Sequence, residues 1–145
     1  MPRTIAISGA SGKTGYRLVE EVLRSGDQPR LLLQQSSVLP EHLQHCDQRR
    51  LRLGDTAALD DALRDVDALV IATGARPSVD LSAPMRVDAW GVEQQVRSCE
   101  RVGVKRIVLV SSLCAGRWLH PLNLFGLILV WKRLGERALE RSSLD

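Results

Sequence analysis

Aromatic side chains are scarce in this chain, 3% of its 145 residues, and tyrosine occurs once, at Tyr16. So thin a supply excludes a base-stacking platform for single-stranded nucleic acid. Cysteine is equally sparse. Cys46, Cys99 and Cys114 are an odd number with no C-x-x-C spacing, so neither a disulfide framework nor a zinc site follows. The longest apolar run, Leu124–Trp131, is interrupted by Gly126, whereas a membrane span takes about 20 apolar residues. The amino end runs into a strand-like segment too short for a secretory signal, and a reduced, soluble, cytoplasmic protein is the expectation. No charge of one sign dominates either: 20 Lys+Arg stand against 17 Asp+Glu, a net +3 dispersed along the chain. That dispersal gives no basic stripe for a nucleic acid partner.

What is present is an ordinary globular composition, 44% hydrophobic and 26% charged. The length suits one domain over residues 1–145, burying roughly 68–70% of its unfolded surface. Thr4–Ser8 is a short β-rich run ending at glycine. Leu18, Val19, Val22 and Leu23 then share a helical face closed by Gly26. Arg30–Leu33 and Leu51–Leu53 are the next strand candidates, and Leu59, Ala62 and Leu63 mark a short helix. Ala68–Ala72 is apolar throughout and Arg106–Val110 is apolar after its first residue, the two separated by a helix carrying Val92, Val96 and Cys99. A last helix is expected from about Leu124 to Arg141. Strands that read as unbroken apolar runs are buried on both faces, which is the pattern of a parallel sheet between helices. The expectation is an α/β, doubly wound, three-layer fold of about five strands.

The most informative stretch is Gly9-Ala10-Ser11-Gly12-Lys13-Thr14-Gly15, between the first strand and the first helix. Gly9 suits the tight turn, Gly12 lets a diphosphate approach the backbone, and Gly15 lets helix and strand pack closely. Unpaired N–H groups at the helix start then face the anion. Gly12-Lys13-Thr14 imitates the end of a nucleoside-triphosphate P-loop, but Ile7 stands where that loop needs its first glycine. A dinucleotide is the better match. NAD sites place an acid about 20 residues beyond the glycines, and here the second strand ends in Gln34-Gln35-Ser36-Ser37. The missing carboxylate permits NADP, with Lys13 as a candidate cation for its extra phosphate, and NAD stays possible.

The glycine turn, Gly54-Asp55, Val66-Asp67-Ala68-Leu69-Val70, Gly103-Val104-Lys105-Arg106-Ile107 and Val110-Ser111-Ser112 occur in an order that resembles the atypical short-chain dehydrogenase/reductases. With His120-Pro121-Leu122-Asn123 and Ile128-Leu129-Val130-Trp131-Lys132-Arg133, the chain resembles the NAD(P)-binding branch found in plants and cyanobacteria. The resemblance implies that Asp55 meets the adenine amino group and that Ala72, Thr73 and Gly74 line the ribose and nicotinamide. It also implies that Ser111 and Ser112 lie beside the nicotinamide, with Ser112 in the place of the catalytic serine. Lys132 matches the lysine of Tyr-x-x-x-Lys, which holds the nicotinamide ribose and lowers the tyrosine pKa. Two departures stand out: Ile128 occupies the tyrosine position, and Gln34 replaces an arginine common in relatives. Relatives also continue past Asp145 into a substrate-binding region, so a truncated chain with an exposed final helix, and through it a homodimer, is expected.

The remaining candidates have plainer readings. His42, His45 and Cys46 fit a solvated helix, and Cys114 a small filler. His120 fits loop chemistry, and Trp90, Trp118 and Trp131 fit packing. Arg49, Arg50 and Arg52 form a small basic cluster, read as a solvated face, and Asp60-Asp61 reads as the polar side of a helix.

Overall fold

The structure, a computed structural model, describes residues 1–52, 54–74, 82, 85–111, 115, 119, 121, 123 and 127–144. Among these described residues five strands are found: β1 (Thr4–Ser8), β2 (Gln28–Gln34), β3 (Asp47–Leu51), β4 (Ala68–Ile71) and β5 (Arg106–Leu109). Four α-helices accompany them: α1 (Lys13–Arg24), α2 (Thr56–Leu63), α3 (Gly91–Val102) and α4 (Ile128–Glu140). A 3-10 turn covers Glu41–Leu43, and a single π-helical turn, Met85–Trp90, leads into α3. All strand pairs are parallel, in the order β3-β2-β1-β4-β5.

The two-sided burial expected of apolar strands is visible residue by residue in β1, β2 and β4, because successive side chains leave a strand on opposite faces. By contrast β5 lies at the sheet's edge and buries Ile107 while Val108 is 50% exposed. Ala6, Leu32, Leu69, Ile71 and Ile107 form one core with α2 and α3, through Leu63, Val92, Val96 and Cys99. Ile5, Ile7, Leu31 and Leu33 form the other with Val19 of α1, joined by Leu39 and Leu43. The chain steps from β1 outward to β3, then returns to β4 and runs to the opposite edge at β5. The order therefore reverses between β1 and β4. Ligands of open α/β sheets bind beyond the strands' carboxyl ends at such a point.

The third strand falls earlier than Leu51–Leu53. Its sequence, Asp47-Gln48-Arg49-Arg50-Leu51, is polar because it is an edge strand with little burial. Arg30 of β2 holds it: Nε donates to Asp47 at 2.7 Å, while Nη1 reaches the carbonyls of Ala62 and Arg64 at the end of α2. The His42–Cys46 stretch is likewise not a solvated helix, since its 3-10 turn inserts a fully buried Leu43.

Helix α4 is also better covered than a free-standing final helix. It packs on the π-helical turn and on α3, with Leu129 buried. Gly135 makes this approach possible, since a β-carbon there would overlap the backbone oxygen of Asp88. Among the described residues no helix is long and apolar enough to cross a membrane.

Candidate functional site

The glycine turn sits at the switch point. Gly9 has φ +80, a conformation that favours glycine, and a β-carbon there would lie 2.8 Å from the Ala72 carbonyl and the Thr73 nitrogen. The turn after β1 and the end of β4 thus touch through bare backbone. A β-carbon on Gly15 would overlap the Gly9 carbonyl oxygen and come within 2.8 Å of Ala10 Cα, so α1 can start this close only with glycine. Gly12 differs from both. It is the N-cap of α1 in extended geometry, and its nearest neighbour would be the Gly9 oxygen at 3.3 Å. Its N–H donates to that oxygen at 3.0 Å, and among the described residues no side chain caps the helix. The first-turn N–H groups are left for an external acceptor.

Around this turn the expected residues distribute unevenly. Ala10 is fully buried in the α1 core, whereas Lys13 and Thr14 are exposed. Ser11 reaches the loop after β2 through Ser37, Oγ to Oγ at 3.4 Å. A cleft beyond the strand ends is lined by Ser8, Gln34, Arg52, Gly54, Asp55 and Thr73. Asp55 caps α2, its Oδ1 accepting from the Ala58 N–H at 3.0 Å. Trp90, expected to pack, is instead 44% exposed, and its ring edge would be 3.4 Å from a β-carbon on Gly54. It is the last residue of the π-helical turn and lies next to Gly54 of the cleft.

Thr73 also lines a smaller cavity with Asp88, Val92, Ser111 and Lys132. Here Lys132 Nζ lies 2.8 Å from Oδ1 of Asp88, a carboxylate only 2% exposed. Gly74 adjoins this corner, where a β-carbon would make an ordinary contact with Nζ at 3.5 Å. Sequence reasoning missed Asp88, which falls in an irregular segment with no periodic signal. Ser111 donates to Glu136 Oε1 at 2.5 Å. Burial alone would raise the Glu136 pKa, but the hydrogen bonds from Ser111 and Arg133 outweigh it and hold the carboxyl below its ordinary value. Ser112, Cys114, Trp118 and His120 lie outside the described residues.

Two buried side-chain atoms lack a hydrogen-bond partner among the described residues, Thr73 Oγ1 and Gln95 Oε1. Both residues line the cleft. Unsatisfied polar atoms are costly in a protein interior, so their gathering on one wall fits a polar ligand that completes them. With the glycine turn beside them, the residues suit a dinucleotide.

Fold and site together define a doubly wound dinucleotide-binding protein. Residues 9–145 match the model of the NAD(P)H-binding family, and the chain belongs to it. The resemblance to the atypical short-chain dehydrogenase/reductases holds with it. The chain is 31% identical to the chloroplastic protein At2g34460 of Arabidopsis thaliana, over 99% of its own length and 56% of that protein. It is 28% identical to sanguinarine reductase of Eschscholzia californica, over 97% and 66% of the respective lengths. Among solved structures, a Bacillus halodurans protein described as an NAD-dependent epimerase/dehydratase superposes with a TM-score of 0.86 at 29% identity. The match covers 99% of this chain and 67% of that one.

Proposed function

We propose that the protein is an NADP(H)-preferring oxidoreductase domain that passes a hydride to a small carbonyl or quinone. The observation that supports this best is the Lys132–Asp88 pair on the wall beyond β4, beside the Thr73 hydroxyl, which has no partner among the described residues. In this reading the N–H groups of the Gly9–Gly15 turn hold the diphosphate, Asp55 orients the adenine, and Lys132 fixes the ribose next to the nicotinamide. The bound nicotinamide supplies the hydride. Ile128 stands where a proton-donating tyrosine would be, so the proton comes from water, Ser112 or the substrate itself. The reductase activity in the name of the Eschscholzia relative supports the same class of reaction.

The test is NADPH oxidation with a panel of quinones and carbonyls, followed at 340 nm. Turnover that falls at least tenfold in Lys132→Met supports the reading; NADPH binding without turnover overturns it. The latter result belongs to a second reading, a non-catalytic dinucleotide-binding redox sensor or assembly factor. Ile128 and the engagement of Ser111 by Glu136 favour that alternative. The chain spans 56% of the At2g34460 length, so the substrate is part of the proposal and not of the family assignment. A homodimer belongs to the same proposal, supported by the exposed Val108 and Val110 at the end of β5. Sedimentation tests it, and a monomer at working concentration rejects it.

A further inference from the structure

The end of β2 is where doubly wound proteins read the adenosine ribose, through a side chain of that strand. Here that strand ends in Gln34, which is uncharged and exposed. The parallel register pairs Gln34 with Leu51, so the next residue of the neighbouring strand, Arg52, emerges beside Gln34 and Gln35. Arg52 lines the cleft and is the only cation among its described lining residues.

The arginines around it are already committed. Arg50 Nη1 donates to the carbonyls of Gln34, Gln35 and Ser37, at 3.3, 3.0 and 3.0 Å, and so fixes the loop after β2. Arg49 Nε pairs with Asp47 at 3.1 Å, and Arg30 is tied to Asp47 and to the end of α2. The Arg52 guanidinium has no hydrogen-bond or ion-pair partner among the described residues. The one acid among the described residues of the cleft wall, Asp55, has its Oδ1 occupied by the cap of α2. The four arginines thus divide: three build the loop and its edge strand, and the fourth faces the space beside it.

Resting on the dinucleotide reading above, we infer that Arg52 is the residue that selects NADP(H) over NAD(H), by pairing with the 2′-phosphate. The cation comes from the strand next to the one that usually carries the discriminating side chain. A guanidinium matches a phosphate with two parallel hydrogen bonds, and no carboxylate stands at the end of β2 to repel that ligand. Ser37, within reach of Ser11, supplies a neutral donor at the same corner.

Titrations of the intact protein with NADPH and NADH, followed by nicotinamide fluorescence, test the inference. The wild type is expected to bind NADPH at least tenfold more tightly. Arg52→Gln should bring that ratio close to one through a roughly 10–100-fold loss of NADPH affinity, the scale of one charged hydrogen-bond pair. Arg52→Lys should recover part of it. Competition by 2′,5′-ADP should exceed that by 5′-ADP in the wild type and not in Arg52→Gln. Arg52 is exposed, and an unchanged melting temperature shows that the variant is folded. Equal binding of NADH and NADPH by the wild type, or an unaltered ratio in Arg52→Gln, overturns the role of Arg52 while leaving dinucleotide binding intact. Failure to bind either nucleotide overturns both.

Discussion

Lys132 Nζ and Asp88 Oδ1 are 2.8 Å apart, joining α4 to the π-helical turn ahead of α3 through a carboxylate almost wholly removed from water. Removing the cation leaves that charge in a poorly solvating place. Lys132→Met should therefore destabilise the fold by roughly 2–3 kcal/mol, below the ~3–5 kcal/mol of a fully buried pair because the ammonium is partly exposed. Urea unfolding measures the loss. Asp88→Asn combined with Lys132→Met should recover at least half of it. An additive double variant would show that the two groups act separately.

Gly12 separates binding from folding more sharply. Its backbone is extended, and a β-carbon there meets nothing closer than 3.3 Å. Aspartate is moreover a good N-cap, worth up to about 1 kcal/mol over an uncapped start. Gly12→Asp should leave the melting temperature unchanged or slightly higher while abolishing NADPH binding, since in the proposed reading its carboxylate would repel the diphosphate. By contrast Gly15→Ala should lower the melting temperature, because its β-carbon collides with the Gly9 carbonyl. Loss of stability in Gly12→Asp would refute this division of roles.

The inner strands were legible in the sequence because burial forces apolar runs such as Ile5-Ala6-Ile7 and Leu31-Leu32-Leu33, whereas β5, apolar after Arg106 and read as buried on both faces, leaves Val108 50% exposed. The edge strand β3 was not legible, since it has no such requirement and its polar residues look like loop. The Gly9–Gly15 turn was legible because steric need fixes where glycines fall. The site's other half was hidden: Asp88 meets Lys132 only through the packing of α4, and Arg50 reaches carbonyls of a strand it joins only in the folded sheet. The basic cluster was visible in composition, but its separation into two anchors and one cation without a partner among the described residues depends on register.

Asp60 gives a pH-dependent signature. Its hydrogen bond from Arg101, opposed by burial and aided by Ser98, holds the carboxyl below its ordinary value. A depressed folded pKa adds stability that is complete above the unfolded value, near 4, and is lost as pH falls through the lower folded value. Asp60→Asn should thus be less stable than wild type at pH 7, by about 1 kcal/mol for so exposed a pair. The gap should close progressively below about pH 4. Thermal unfolding of both proteins between pH 7 and pH 2.5 reads the difference, and a gap that persists at the acid end would contradict the assignment.

Cys99 and Cys46 should differ in reactivity. Burial, with a smaller contribution from Glu100, pushes the Cys99 thiol up to about 12, and the side chain is fully enclosed in the core shared by α2 and α3. Burial also raises Cys46, but that residue is only half-buried. Thiolate is the reactive species, so Cys99 at pH 8 should react about a thousandfold or more slowly in the folded protein than in the unfolded chain. Iodoacetamide labelling read peptide by peptide distinguishes the two sites from Cys114. The native protein should show modified Cys46 long before Cys99. Fast Cys99 labelling under native conditions would mean that the α3 side of the core opens locally, which would also loosen the wall carrying Gln95.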